Sequence, residues 1–201
     1  MERTPLADFA CSIARTLDIV GEWWTLLVLR DLFLGVERFD ELQRDLGLAS
    51  NVLSARLRKL VAAQVVDRLP VPGDARASRY VLTERGRDLY PVLLSLMAWG
   101  DKWLAGRAGP PLALRHRGCG AVTAAVPHCS VCGEPLALHD LDFGPGPGGR
   151  AGPGTAVLAQ RLAGAGFPSS TGAAATAAPR RSTATAGPAS GAAPSRGRAP
   201  R

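Results

Sequence analysis

The stretch Val36 to Thr83, VERFDELQRDLGLASNVLSARLRKLVAAQVVDRLPVPGDARASRYVLT, admits few folds, because its apolar spacing changes from a helical to a strand period within one run. Phe39, Leu42 and Leu46 share one face of a short helix, Arg38 to Leu46, and Gly47 ends it and supplies a turn. Ser50 stands as N-cap candidate for a second helix reaching Gln64. At about 100° per residue, Leu53, Leu57, Leu60 and Gln64 gather on one side of it, while Asn51, Ser54, Ala55 and Arg58 fall opposite. The β-branched pair Val65 and Val66 then signals a strand. Val65 to Leu69 and Arg79 to Thr83 flank PVPGDARAS, whose Pro, Gly and Asp predict a hairpin loop.

Apolar partners for this unit lie on either side of it. Cys11 to Val20 and Trp24 to Leu34 have helical spacing and are separated by Gly21. On the far side, Thr83 with Glu84 opens a long helix to Leu104, interrupted softly by Gly86, Pro91 and Gly100. Its apolar positions Leu89, Val92, Leu93, Leu96, Trp99 and Trp103 form a stripe too wide for one small core, so part of it is read as a dimer surface.

The outward face of the Ser50 helix is small, polar and basic. Small side chains let a helix approach base edges in a major groove, and Asn and Arg make bidentate contacts to adenine and guanine. The charge distribution agrees with that reading. The formal net charge is +7, but residues 1–143 hold 17 basic and 17 acidic side chains, and the surplus is seven arginines after Phe143. Within the neutral part, residues 50–87 carry 8 basic against 3 acidic groups, a local balance of +5, whereas residues 1–49 carry 5 against 9. A cationic patch on a neutral body steers association with phosphates.

Helix, helix, helix-turn-helix, two-stranded wing and long C-terminal helix describe a winged helix-turn-helix, mainly α with a small β element. The segments CSIARTLDIVGEWWTLLVLRDLFLG, RFDELQRDLGLASNVLSARLRKLVAAQVVDR and SRYVLTERGRDLYPVLLSLMAWGDKW together resemble the HxlR family of bacterial transcriptional regulators, over about Cys11 to Leu104. The resemblance rests on a combination: a Cys near the start, G-x-W-W-T, R-F-x-E-L, L-S-x-R-L-x-x-L, Y-x-L-T-x-x-G, and W-G in the last helix. It implies a homodimer paired through the first and last helices, bound to double-stranded DNA at an inverted repeat. Each recognition helix would lie in a major groove, with each wing at the flanking minor groove or backbone. Position by position it places Ser50, Asn51, Ser54 and Arg58 at DNA, with Arg76 and Arg79 in the wing. Arg56 and Lys59, at the helix flank, are expected to contact phosphates.

A cysteine at the start of the first helix senses oxidants, quinones or aldehydes in many such regulators, and Cys11 matches that position. A helix N-terminus favours a reactive thiolate in general. The chain departs from the family where a proline often follows, since Ser12 stands there. A small buried apolar cysteine of the core is the plainer reading of the same residue.

The second constellation is LRHRGCGAVTAAVPHCSVCGEPL. His116-x2-Cys119-Gly and Cys129-x2-Cys132-Gly are two similar knuckles nine residues apart. Four soft or borderline ligands in two pairs match tetrahedral Zn²⁺ and leave no position for a catalytic water. His128 beside Cys129 competes with His116 for the fourth place, and the alternatives to zinc are a redox pair of Cys129 with Cys132 or an unmetallated remnant.

The expected organisation is a winged helix-turn-helix over residues 1–106, a zinc-ribbon-like segment over 107–143, and a disordered Ala/Pro/Gly/Arg-rich tail over 144–201, within which Val157 to Ala163 has helical tendency. No apolar run approaches the roughly 20 residues of a membrane span. The start Met1-Glu2-Arg3-Thr4 has no secretory pattern, so a cytoplasmic protein is expected. No nucleophile, base and oxyanion arrangement is present at interpretable spacing, which argues against an enzyme. The competing reading is a winged-helix module that docks a protein through its cysteine segment. The effector is unknown from sequence.

Overall fold

The computed structural model describes residues 5–71 and 73–164; the side chains of Ala75 and Arg76 lie outside the described residues, as do residues 1–4, 72 and 165–201. Helices α1 (Ser12–Val20), α2 (Trp23–Phe33), α3 (Phe39–Leu46) and α4 (Ser50–Ala62) are followed by strands β1 (Val66–Val71) and β2 (Asp74–Leu82). Then come α5 (Glu84–Arg87), α6 (Tyr90–Leu104), strands β3 (Leu114–Arg115) and β4 (Val122–Thr123), and α7 (Ala156–Leu162). The expected helical architecture with one small antiparallel wing is present, and β1 pairs with β2 through the register Val66↔Leu82, Arg68↔Tyr80 and Leu69↔Arg79.

The core is built from the residues whose periodicity forecast it. Leu42 of α3, Leu53, Leu57 and Leu60 of α4, Val28, Leu29 and Leu32 of α2, and Val65 and Val66 at the wing base are all buried together. Burying a Leu or Val side chain contributes about 1.5–3 kcal/mol, so the leucine face of α4 pins that helix and leaves its opposite face to solvent. Asp31 is the charged residue inside this core; burial pushes its carboxyl above the ordinary carboxylate range, and the Arg30 guanidinium at 2.6 Å opposes that.

Several boundaries differ from the sequence expectation. Gly47 ends α3 in the left-handed conformation, as expected, but the N-cap of α4 is Ala49, with Ser50 already in the first turn. Gln64 is exposed rather than on the leucine face, because α4 stops at Ala62 and Gln64 takes a left-handed φ of 56° to launch β1. The wing strands absorb most of PVPGDARAS, leaving a tight turn near Gly73 and an irregularity between Pro70 and Val71. The single long helix expected from Thr83 is two: α5 is capped by Thr83, whose Oγ1 accepts from the Gly86 N–H at 3.0 Å, and Pro91 opens α6. Proline has no N–H to donate and tolerates the first turn of a helix, not its interior.

Residues 144–164, expected to be disordered, carry α7 with Thr155 buried, and the Arg150 guanidinium donates to the Asp8 carbonyl at 3.3 Å. The remainder of the expected tail lies outside the described residues. No helix among the described residues is long and apolar enough to cross a membrane.

Candidate nucleic-acid interface

The solvent face of α4 and one face of the wing meet in a cleft of about 660 Å³ lined by Ser54, Arg58, Arg68, Ser78 and Tyr80 together with Arg38 and Asp40 from the start of α3. Opposed residues of an antiparallel pair share one face, so the Arg68↔Tyr80 register turns Arg68 toward α4 while Tyr80 seals the cleft floor. Arg68 Nε donates to Ser78 Oγ at 3.0 Å, which fixes its guanidinium across the ribbon. Arg58 is exposed and, among the described residues, forms no ion pair or hydrogen bond within the chain. Ser50 and Asn51 are exposed at the N-terminal end of the same helix, with Asn51 Oδ1 accepting from the Val52 N–H at 3.0 Å.

The other expected contacts separate by location. Arg79 shares its face with Leu69, away from the cleft, and its guanidinium pairs with Glu37 at 3.3 Å. Arg56 pairs with Glu22 at 3.6 Å with its Nε buried, and the Lys59 ammonium donates to the Asp18 carbonyl. Both flank cations expected at phosphates are thus turned toward the α1–α2 side of the domain and hold the recognition helix against it. Arg76 belongs to β2, and its side chain lies outside the described residues. Arg68 and Arg38 were missed in the sequence because the cross-strand register that brings Arg68 over α4 depends on how short the wing turn is.

Cys11 is the N-cap residue of α1, half-buried, with extended backbone at φ −142°. It lines a cleft of about 520 Å³ whose other wall is residues 145–163, including Leu158 and Leu162 of α7. The α1 and α6 helices leave large apolar side chains in solvent: Ile13 and Leu17 on α1, and Val92, Leu96, Trp99 and Trp103 on α6, which buries no residue.

The cysteine segment forms both expected knuckles. His116 Nδ1 stands 3.4 Å from Cys119 Sγ. Cys129 lies beside Cys132, and the backbone N–H groups of Cys132 and Val131, with the Cys132 side chain, hold the Cys129 thiol below its ordinary value. Among the described residues, no three His, Cys, Asp or Glu side chains converge as a set that could hold a metal ion, so the two knuckles stand as separate pairs, and all four cysteines are free.

A model of the HxlR-like helix-turn-helix family matches residues 19–108. The uncharacterised HTH-type transcriptional regulator Rv3095 of Mycobacterium tuberculosis is 45% identical over 140 residues, covering 70% of this chain and 89% of that protein. The uncharacterised HTH-type transcriptional regulator sll1512 of Synechocystis is 36% identical over 95 residues, 47% of this chain and 70% of that protein. Among solved structures, PA1607, a candidate transcription factor, has a TM-score of 0.63 at 35% identity and covers 70% of this chain and 98% of its own. PA1374 of Pseudomonas aeruginosa, also a candidate transcription factor, has a TM-score of 0.50 at 33% identity, covering 76% of this chain and 100% of its own. A 140-residue match is longer than everything up to residue 108, so the likeness to the mycobacterial protein continues into the segment that follows the family domain.

Proposed function

The chain belongs to the HxlR-like helix-turn-helix family of DNA-binding transcriptional regulators, which are not enzymes, and from that premise we propose that it reads an inverted repeat as a homodimeric repressor through the cleft between α4 and the wing. One observation carries the assignment: a helix pinned by buried Leu53, Leu57 and Leu60 presents Ser50, Asn51, Ser54 and Arg58 outward, beside a ribbon arginine. Ser54 and Arg58 meet base edges, Arg68 meets the backbone, and the wing lies at the adjacent groove. A two-fold dimer carries two such faces, which is why its site is an inverted repeat.

Electrophoretic mobility shift with the chain's own promoter region tests this. Saturable binding that falls steeply as salt rises is the expected result, since each neutralised phosphate adds to the salt slope. Binding that ignores ionic strength would favour the protein-docking module instead.

The apolar faces of α1 and α6 support the dimer. Trp99→Asp with Leu96→Asp is expected to convert a dimer to a monomer in analytical ultracentrifugation and to weaken operator binding at least tenfold. A dimer that survives both changes would place the subunit contact elsewhere.

Cys11 is assigned as an oxidant- or electrophile-responsive thiol, supported by its helix-start position and its place in an apolar cleft. Cys11→Ser is expected to abolish induction by quinones or peroxide in a reporter strain. Truncation after Gly144 removes the second wall of the cleft and is expected to speed alkylation of Cys11 by iodoacetamide. An unchanged rate would show that residues 145–163 do not cover the thiol.

A further inference from the structure

The two knuckles are one motif used twice, the second copy offset by thirteen positions from the first. In the first, the Gly120 N–H donates to the His116 carbonyl at 2.8 Å and the His116 N–H to the Ala121 carbonyl at 2.9 Å. In the second, the Gly133 N–H donates to the Cys129 carbonyl at 2.9 Å and the Cys129 N–H to the Glu134 carbonyl at 2.8 Å. Gly120 and Gly133 both take left-handed φ values, 72° and 78°, directly after the second ligand-type residue of each pair. Each turn closes a short antiparallel ladder: Arg115 pairs with Val122 in the first, and His128 bridges Pro135 in the second.

This repeat decides between the two histidines. Shifted by thirteen, His116 falls on Cys129 and Cys119 on Cys132, whereas His128 falls on Arg115, a ladder position outside the turn. With Zn–N near 2.0–2.1 Å and Zn–S near 2.3 Å, an imidazole nitrogen and a thiolate on one tetrahedral ion stand roughly 3.5 Å apart. The 3.4 Å between His116 Nδ1 and Cys119 Sγ matches that edge.

The segment also lacks any other means of holding its shape. From Gly109 to Phe143 no residue is buried, and Val122, Val126, Val131 and Leu138 are exposed. Two hairpin tips without a core and without a disulfide need a staple, and small units of this kind are held by metal.

We propose that His116, Cys119, Cys129 and Cys132 ligate one structural zinc ion that draws the two knuckle tips together. The three cysteines bind as thiolates and release their protons to solvent, and His116 binds as the neutral imidazole through Nδ1. The inference is independent of the DNA-reading assignment, because none of the four residues belongs to the winged-helix core.

The full-length chain, purified anaerobically without chelator, is expected to hold about one zinc per chain by mass-spectrometric metal analysis. Replacing zinc by Co²⁺ is expected to give thiolate charge-transfer bands and the strong visible bands of tetrahedral cobalt. His116→Ala, Cys119→Ser and Cys132→Ser are each expected to weaken Zn²⁺ binding at least tenfold in competition with a chromophoric chelator, while His128→Ala and Cys11→Ser bind as the parent does. Circular dichroism at helical wavelengths, unchanged across the set, shows that losses are local. Stoichiometry well below one after reconstitution with ZnCl₂, an octahedral cobalt spectrum, or loss in His128→Ala with retention in His116→Ala would each overturn the proposal.

Discussion

Replacing Arg58 and Arg68 together by alanine is expected to lower affinity for the chain's own promoter DNA by about 100-fold or more, with thermal unfolding unchanged. Arg58 is exposed at the centre of the outward α4 face, and a good bidentate base contact is worth about 1–3 kcal/mol. Arg68 is braced on Ser78 across the ribbon, which limits the entropy its guanidinium loses on meeting a phosphate. Titrating a fluorescent duplex at several salt concentrations separates the two roles. Loss of Arg68 alone reduces the salt slope by about one and weakens all sequences alike, while loss of Arg58 relaxes preference at one base pair. Arg79→Ala is expected to do less, because Glu37 already holds that guanidinium on the other face of the wing. If the double variant bound the promoter as tightly as the parent, the α4–wing cleft would not be the reading surface.

Gly86→Ala is expected to be the most damaging single-methyl change in the domain. A Cβ at that position would stand 2.1 Å from the Val65 carbonyl oxygen and 3.2 Å from its carbon. The obstacle is backbone at the base of the wing, and it cannot rotate away. Thr83 tightens the same corner, since its hydroxyl donates to the Gln64 carbonyl at 2.8 Å while accepting from the Gly86 N–H. Overpacking of this kind costs about 1–3 kcal/mol, and at about 4–8 °C per kcal/mol for a domain of roughly 100 residues that lowers the melting temperature by about 4–24 °C. Differential scanning calorimetry reads it directly. A melting temperature within error of the parent would mean that β1 and α5 slide apart without cost.

Gly86 shows where the sequence was legible and where it was not. The leucine stripe of α4, the glycine that ends α3 and the β-branched start of the wing follow from local spacing, and the structure keeps them. Gly86 read as a soft interruption of a long helix, whereas its requirement is a close approach to Val65, a residue 21 positions earlier. Periodicity carries no information about such a contact. The cations divide in the same way. Ser54 and Arg58 were readable from angle alone, but Arg56 and Lys59, equally basic, find Glu22 and Asp18 only once α1 and α2 have packed. Arg68 lay inside the expected strand Val65 to Leu69, but which face it takes follows from the cross-strand register that opposes it to Tyr80, and local spacing does not give that register.

The anchoring of α4 by Arg56 and Lys59 makes a linkage. Lys59 grips the Asp18 carbonyl near the end of α1, and Cys11 caps the beginning of that same helix. A modification of the thiol that tilted α1 would therefore act on α4 through the Lys59–Asp18 contact, and Arg56–Glu22 ties α4 to the start of α2. Such coupling is reciprocal in free energy. If α4 reads the operator and Cys11 is the responsive thiol, as proposed above, DNA that holds α4 in place holds α1 in turn, and the Cys11 thiol of the DNA-bound protein is expected to react more slowly than that of the free one.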